Sequence, residues 1–396
     1  MQRRVFPLVC LAALPLTGIA QQKAPIANYW ISTETATGFG PTTGGGAPGL
    51  GDMARMMMGS TGGGDGYRNL LLQLGSQRTA NDPEAKHDIP RDLKMGSTLP
   101  LLSPRRVNRS GETQHEDDTY EKPKGKIYLY WGCGEQAGPG QPLVIDFAKL
   151  AAGKGFAVFA GRHIAQPTGP SSANSRSYGT WPNEKDATRV PSDASLRGDH
   201  LVQGNYTPDI RFSLDDSQDF LAPVSLSMKK TGAQAMNVSW KSIPRATGYY
   251  ASTMGSKDGS EDMVWWTSST SKEMGETLFN YLSNSEAARL VKEKVILPPT
   301  ATECTVPAQV LAAAPSAMFR FIAYGEESNL VYPPKPKDPK QRWEPEWAVK
   351  VRHKSTASTV LEEGAGTGAA SSRGGRSTES PAEGVGTSII RGLFGF

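Results

Sequence analysis

Cysteine, histidine and long apolar runs are scarce in this chain of 396 residues. It contains 3 cysteines and 5 histidines, and no Cys-x-x-Cys pair, so neither a zinc ribbon nor a thioredoxin-type redox site is supported. After residue 20, no stretch approaches the roughly 20 apolar residues that a membrane-spanning helix requires. The 43 basic residues nearly balance the 39 acidic ones, which leaves no basic surface for nucleic acid. We therefore expect neither a nucleic-acid partner nor a transmembrane segment in the processed chain.

Sequence signatures of catalysis are also missing. There is no G-x-S-x-G elbow, no phosphate-binding G-x-x-x-x-G-K-[ST] loop and no H-E-x-x-H zinc motif. Glu135 follows an apolar strand and two glycines, but a catalytic carboxylate needs a second partner. Asp199 and His200 are neighbours, and a carboxylate beside an imidazole can orient a general base. A hydrolase that acts on envelope glycans from the N-terminal domain is therefore the main alternative to a non-catalytic function.

Residues 1–20 have the pattern of a secretory signal peptide. The chain begins with the basic MQRR and continues with an apolar run from 5 to 19. Gly18 and Ala20 supply the small side chains that signal peptidase requires. We expect cleavage after Ala20 and export to the periplasm, the cell envelope or the extracellular space.

Two cysteines, Cys133 and Cys304, remain after that cleavage. An oxidising compartment favours a disulfide between them, which would join distant regions of the chain. The alternative is two separately buried thiols, each packing as a small apolar side chain.

Abundant glycine and proline, with few helical periodicities, predict a mainly β protein with two β-sandwich-like domains and long loops. Alternating apolar residues place the first domain at 21–220, for example around Leu70–Leu74 and Ile210–Leu214. A Gly/Met-rich stretch (38–66) is expected to be a mobile insertion, because glycine at that density loses much conformational entropy when ordered. A polar stretch (104–125) is expected to be a disordered loop.

The second half of the chain contains an alternating strand, AMNVSW (235–240), followed by the turn PRATGY (244–249). A later strand carries RFIA (320–323). This order of motifs resembles the fibronectin type III family over about residues 222–355, a third of the chain. The resemblance implies a second β-sandwich domain at 221–355.

Two features depart from that family pattern. Residues 285–294 predict a short helix, with Ser285 as its N-cap and Glu286 in the first turn. The proline-rich PPKPKDPK (333–340) lengthens the loop before the last strand. A broader Ig-like sandwich is therefore the alternative fold for this half.

Tryptophans in the second half are candidate binding residues. Trp265 and Trp266 are adjacent, so on a strand they face opposite sides, and Trp343 and Trp347 flank the last strand. Exposed indoles stack on sugar rings or anchor protein partners. The alternative is that each tryptophan belongs to a sandwich core.

The C-terminal residues divide into a linker and an apolar tip. Residues 356–387 are rich in Gly, Ala, Ser and Thr and are expected to be a disordered linker that buries no core. In the tip SIIRGLFGF (388–396), Ile390, Phe394 and Phe396 occupy alternate positions. The tip is suited to adding a strand to a partner's sheet edge or to lying at a membrane surface.

The cluster MARMMM offers one possible metal site. Met53, Met56 and Met57 can meet on one helical turn and present thioethers to Cu(I). The commoner interpretation is a set of adaptable methionines that dock onto an apolar surface.

Together these patterns predict an exported, non-catalytic binding or scaffold protein of the bacterial periplasm or cell envelope, without a cofactor. Its partner is expected to be an envelope protein or glycan. The glycan hydrolase and a periplasmic Cu(I)-binding protein are the two alternatives.

Overall fold

The computed structural model describes seven segments of the chain, residues 24–38, 66–104, 125–151, 163–257, 260–273, 276–338 and 341–367. Several predictions concern residues outside these segments. They are the signal peptide (1–20), the methionines Met53, Met56 and Met57, most of the polar loop (105–124), the linker from 368 onward, and the tip residues Ile390, Phe394 and Phe396.

The described residues form a mainly β fold with few helices, as the sequence predicted. In chain order the strands are β1 (Ala27–Gly38), β2 (Tyr67–Ser76), β3 (Ala85–Asp88), β4 (Thr98–Leu101), β5 (Lys126–Trp131), β6 (Leu143–Asp146), β7 (Ser177–Trp181), β8 (Gly198–Gly204), β9 (Ile210–Leu214), β10 (Leu226–Lys230), β11 (Met236–Trp240), β12 (Ala246–Ser256), β13 (Met263–Thr267), β14 (Glu303–Val306), β15 (Met318–Tyr332), β16 (Trp347–Val360) and β17 (Gly366–Thr367). The helices are α1 (Phe147–Ala151), α2 (Asn284–Lys292) and α3 (Ala308–Ala313), and single 3-10 turns span Arg91–Leu93, Asp216–Gln218 and Glu276–Phe279.

A central sheet of nine strands has the order β6-β5-β13-β12-β15-β16-β1-β2-β7. Most neighbouring strands are antiparallel, but β1 runs parallel to β16 and β13 runs parallel to β5. The β1–β16 pairing extends from Ala27 opposite Trp347 to Gly38 opposite Ser358. Strands near the two ends of the described chain therefore lie side by side at the middle of the sheet.

Two four-stranded sheets, β14-β11-β10-β17 and β4-β3-β8-β9, pack on one face of the central sheet. Strand β16 shows why they share that face, because its residues alternate strictly between buried and half-buried. Its buried Val349 and Val351 belong to the core with the second small sheet, whereas Ala357 on the same face belongs to the core with the first. We call this the inner face and the opposite side the outer face.

The motif stretch that opens the second half builds the first of these cores. The ring of Trp240 on β11 contacts Tyr249, with centroids 5.5 Å apart, and Phe321, at 4.7 Å. The Tyr249 hydroxyl accepts a hydrogen bond from the backbone N–H of Ile243 at 3.1 Å, which fixes the turn between the strands. Membership of the fibronectin type III family stays a prediction.

Strands from both sides of the boundary predicted at residue 220 share the central sheet. Arg245 bridges this boundary, because its guanidinium donates to the backbone carbonyls of Ser217, Asp219 and Phe220 at 2.7, 2.8 and 3.0 Å. The division into two domains stays a prediction. In the structure, both halves contribute strands to one sheet.

The last long strand continues further than the sequence suggested. The linker was predicted from residue 356, whereas β16 extends to Val360. The small side chains of Ser355, Ala357 and Thr359 are buried on its inner face. Small side chains at alternate positions can pack one face of a strand against the sheet that covers it. Composition alone does not reveal this pattern.

The predicted helix in the second half is present as α2, but the N-cap prediction is wrong. The cap is Ser283, whose hydroxyl accepts a hydrogen bond from the N–H of Glu286 at 3.2 Å. This three-residue spacing is the one in which an N-cap oxygen reaches the first turn, and it excludes Ser285. The helix covers the outer face of the central sheet, where Ala287 and Leu290 join a core with Tyr250 and Ile322.

Candidate functional site

The candidate catalytic residues do not meet in the described structure. Glu135 is an exposed residue in the loop after β5, and its backbone carbonyl accepts from the N–H of Ala308 at 3.0 Å. Asp199 and His200 are consecutive residues of β8, so their side chains point to opposite faces. The Asp199 carboxylate accepts from the hydroxyl of Ser213, and His200 is buried. Asp199 and His200 therefore do not form a base and its orienting carboxylate.

His200 instead belongs to a buried hydrogen-bonded chain that the sequence did not reveal. Its Nε2 lies 2.7 Å from the carbonyl of Leu196, and its Nδ1 lies 2.9 Å from Nε2 of His87. Nδ1 of His87 lies 2.8 Å from the hydroxyl of Tyr29. Burial lowers the pKa of both histidines below the ordinary value. Both imidazoles are therefore neutral at physiological pH and are enclosed in the core.

Cys133 and Cys304 lie at disulfide distance, as predicted, with a sequence separation of 171. The bridge joins the loop after β5, in the central sheet, to β14 in a small sheet. Next to it the N–H of Gly134 donates to the carbonyl of Thr305 at 2.8 Å. The disulfide thus fastens one layer of the fold to the other.

Trp265 and Trp266 face opposite sides of β13, and both are buried. Trp266 lies in the inner core and donates from Nε1 to the carbonyl of Gly132 at 2.9 Å. Trp265 lies in an outer cluster with Ile127 and Leu129. Neither indole presents an exposed ring to a ligand.

Three aromatic residues, of which Tyr332 is exposed, lie at one end of the hairpin that joins β15 to β16. We define the aromatic ridge as Tyr332, Trp343 and Trp347. Tyr332 opposes Trp347 in the last residue pair between the two strands, and their rings stack with centroids 5.6 Å apart and planes 16° apart. Trp347 is buried beneath, whereas Tyr332 is 50% exposed.

Trp343 lies in the connecting loop and is joined by a hydrogen bond to Pro333, the residue after Tyr332. Its indole is half-buried, and its Nε1 donates to the carbonyl of Pro333 at 2.9 Å. The ammonium of Lys335 lies 6.0 Å from the centre of the Trp343 ring. Trp343 and Trp347 were recognised as candidates from the sequence, but Tyr332 was not. The available signal was the pairing register of two strands, which sequence alone does not provide.

The described segments contain neither a metal-ligand cluster nor a membrane-spanning helix. No group of three or more His, Cys, Asp or Glu side chains there is arranged to hold a metal ion. In the same segments no helix has the length and apolar character needed to cross a membrane.

Comparison with known proteins adds no family. The chain matches no protein-family model, no curated protein and no solved structure. Among the described Phe, Tyr and Trp side chains, Tyr332 of the aromatic ridge is the most exposed.

Proposed function

We propose that this chain is an exported binding protein of the bacterial cell envelope, which holds a glycan on the aromatic ridge. The observation that carries the proposal is the half-exposed ring of Tyr332, stacked on the buried Trp347. Other large aromatic residues of the central sheet, such as Trp266 and Phe321, are buried. Tyr332 therefore offers an exposed aromatic face, held in place by Trp347, that a partner can contact.

The shape and chemistry of the aromatic ridge favour a sugar as the ligand. One face of the Tyr332 ring rests on Trp347, which leaves the other face available for the apolar C–H face of a sugar ring. A ring that is already held in place loses little conformational entropy on binding. The Tyr332 hydroxyl and the ammonium of Lys335, near Trp343, supply the polar partners that sugar hydroxyls need.

Export is supported by two separate features. Residues 1–20 carry the signal-peptide pattern, and the disulfide between Cys133 and Cys304 is of the kind that persists in oxidising compartments. A protein exported by this signal can reach the glycans of the cell envelope.

The alternatives have less support from the geometry. A glycan hydrolase needs two carboxyl groups that flank the scissile bond, and Glu135, Asp199 and His200 do not converge in the described structure. The Cu(I) hypothesis concerns Met53, Met56 and Met57, which lie outside the described residues. The tip residues also lie outside them, so their proposed docking stays a separate prediction.

Co-sedimentation of the full chain with insoluble cell-wall glycan tests the proposed function. We expect the wild-type protein to be retained in the pellet and Tyr332→Ala to lose at least tenfold in affinity. Met318→Ala is the matched control, because Met318 is 47% exposed on the same strand but lies at its other end. Retention of Tyr332→Ala equal to that of Met318→Ala would remove the aromatic ridge as the binding surface.

A further inference from the structure

Three basic residues, Lys350, Arg352 and Lys354, form a row on the outer face of β16. They alternate with the inner-face residues Val349 and Val351, and all three are half-buried. On the neighbouring β1, the register partners on the same face are Trp30, Ser32 and Glu34. This basic row lies on the opposite side of the sheet from Trp347 and is therefore separate from the aromatic ridge.

The two lysines of the basic row each have a carboxylate partner. Lys350 forms an ion pair with Glu327. The ammonium of Lys354 lies 3.5 Å from a carboxylate oxygen of Glu34 and donates to the carbonyl of Phe279 at 3.2 Å. Two carboxylates therefore face three cations, which leaves one positive charge that no carboxylate of the row balances.

Arg352 carries that remaining charge in a fixed orientation. Its guanidinium carbon lies 4.7 Å from the centre of the Trp30 ring and 4.3 Å from that of Tyr281. Its Nε donates to the hydroxyl of Ser32 at 2.7 Å. Neither terminal nitrogen has a hydrogen-bond partner among the described residues. A guanidinium held by two rings offers these nitrogens as a rigid two-pronged donor.

A carboxylate oxygen without a hydrogen-bond partner lies on the strand next to Arg352. Glu327 on β15 is the register partner of Arg352, and its side chain is only 8% exposed. Oε1 of Glu327 accepts from Asn329 at 3.2 Å and also faces Lys350. Oε2 is buried and has no hydrogen-bond partner in the described structure. A buried oxygen in this state is costly unless another group fills it.

We propose that Arg352 and Glu327 form a binding site for a small ligand that carries a carboxylate next to a hydroxyl or an ammonium group. The carboxylate accepts two hydrogen bonds from the terminal nitrogens of Arg352, in the bidentate geometry that planar guanidinium favours. The neighbouring hydroxyl or ammonium donates to Oε2 of Glu327. A single carboxylate also matches the one unbalanced charge, whereas a phosphate dianion exceeds it.

Two sources supply this chemistry, a uronic-acid sugar and a free α-amino acid. Titration calorimetry of the full chain with glucuronate and with alanine distinguishes them, with glucose and inorganic phosphate as comparisons. We expect one of the two carboxylates to bind, and glucose and phosphate to bind at least tenfold more weakly. Absence of binding by both carboxylates at millimolar concentration, or tighter binding of phosphate, overturns the proposal.

Arg352→Lys tests the guanidinium, because it keeps the charge and removes the two-pronged donor. We expect at least tenfold weaker binding of the carboxylate. Arg320→Lys is the matched control, since Arg320 lies 3.9 Å over the ring of Phe279 but is remote from Glu327 in the strand register. Equal affinity of the Arg352→Lys and wild-type proteins contradicts the assignment.

A measurement on the wild-type chain avoids any folding defect of a variant. Whichever of glucuronate and alanine binds is expected to slow the modification of Arg352 by phenylglyoxal at least several-fold, as followed by mass spectrometry. Arg342, whose side chain is 86% exposed, serves as the internal reference. Equal modification rates of Arg352 with and without ligand overturn the site. Tyr332→Ala is expected to leave this protection intact, so failure of the aromatic ridge and failure of this site are distinguishable.

Discussion

His87 donates a hydrogen bond from Nε2 to Nδ1 of His200 across 2.9 Å in the core beneath the second small sheet. The direction of this hydrogen bond follows from the groups at the two ends of the hydrogen-bonded series, Leu196 and Tyr29. The carbonyl of Leu196 can only accept, so Nε2 of His200 carries a proton and its Nδ1 accepts. Nδ1 of His87 then accepts from the hydroxyl of Tyr29. Each donor and acceptor in this hydrogen-bonded series has a partner while both imidazoles are neutral.

The buried histidines predict a loss of stability in mild acid. Burial lowers the pKa of His87 and His200 and lowers that of His353 to about 3. In the unfolded chain the imidazole pKa is about 6.5. Below that pH the unfolded state binds protons that the folded state excludes. The free energy of unfolding therefore has its full value above pH 6.5. It falls as the pH drops toward the folded pKa values, by up to about 1.4 kcal/mol per pH unit for each histidine.

Urea denaturation at pH 7.5, 6.0 and 5.0 measures this slope. His163→Gln serves as the control, because His163 is an exposed histidine and the slope is expected to be unchanged. A free energy of unfolding that stays constant from pH 7.5 to 5.0 would contradict the neutral buried pair.

Removal of the Tyr29 hydroxyl should destabilise the chain. In Tyr29→Phe, Nδ1 of His87 loses its donor and becomes a buried acceptor without a partner, which costs about 1–3 kcal/mol. Tyr332→Phe removes a hydroxyl from an exposed ring, and its effect should stay within about 0.5 kcal/mol. Chemical denaturation of both variants provides the comparison, and equal stabilities would show that the Tyr29–His87 bond contributes nothing.

Loss of the disulfide should lower stability more strongly. Cys133 and Cys304 close a loop with a sequence separation of 171, for which the loop-entropy treatment gives about 5 kcal/mol and measured disulfide removals give about 2–5 kcal/mol. Denaturation of the wild-type chain with and without reductant measures the loss. The double variant Cys133→Ser with Cys304→Ser should start at the lower stability and show no response to reductant. If reductant leaves the free energy of unfolding of the wild-type chain unchanged, the disulfide does not stabilise the packing of the two layers.

Arg245 should be important for the connection between the two halves. Its guanidinium donates to three carbonyls at residues 217–220, so Arg245→Ala leaves them without these donors and should cost about 2–3 kcal/mol. Arg342→Ala is the control, because Arg342 is 86% exposed and forms a surface ion pair with Glu344, a kind of pair that contributes little to stability. We expect faster proteolysis near residues 215–220 in Arg245→Ala alone. Identical cleavage in both variants would exclude this role.

Local patterns in the sequence predicted much of the secondary structure, but not how the strands pair into sheets. Two-residue alternation predicted the strand Met236–Trp240 and the mainly β class, and a serine followed by Glu286 in the first turn predicted the helix α2, although the cap is Ser283. The neighbouring strands β1 and β16 could not be paired in advance, because residues such as Thr33 and His353 are 320 positions apart. Such contacts leave no local signal in a single sequence.

The site residues show the same limit. Trp265 and Trp266 alternate as predicted, but their burial depends on which elements cover each face of β13. Tyr332 was missed because its exposure depends on the register with Trp347. Arg352 was missed because its two aromatic neighbours, Trp30 and Tyr281, come from distant parts of the chain.

The most direct test of the proposed binding function follows retention and integrity of cell-wall glycan in one experiment. Wild-type protein, Tyr332→Ala and Met318→Ala are incubated with the glycan, and bound protein and newly released reducing ends are both measured. We expect wild-type protein and Met318→Ala to be retained without release of reducing ends, and Tyr332→Ala to stay in the supernatant. Release of reducing ends by the wild-type protein, or full retention of Tyr332→Ala, would contradict a glycan-binding protein that acts through the aromatic ridge.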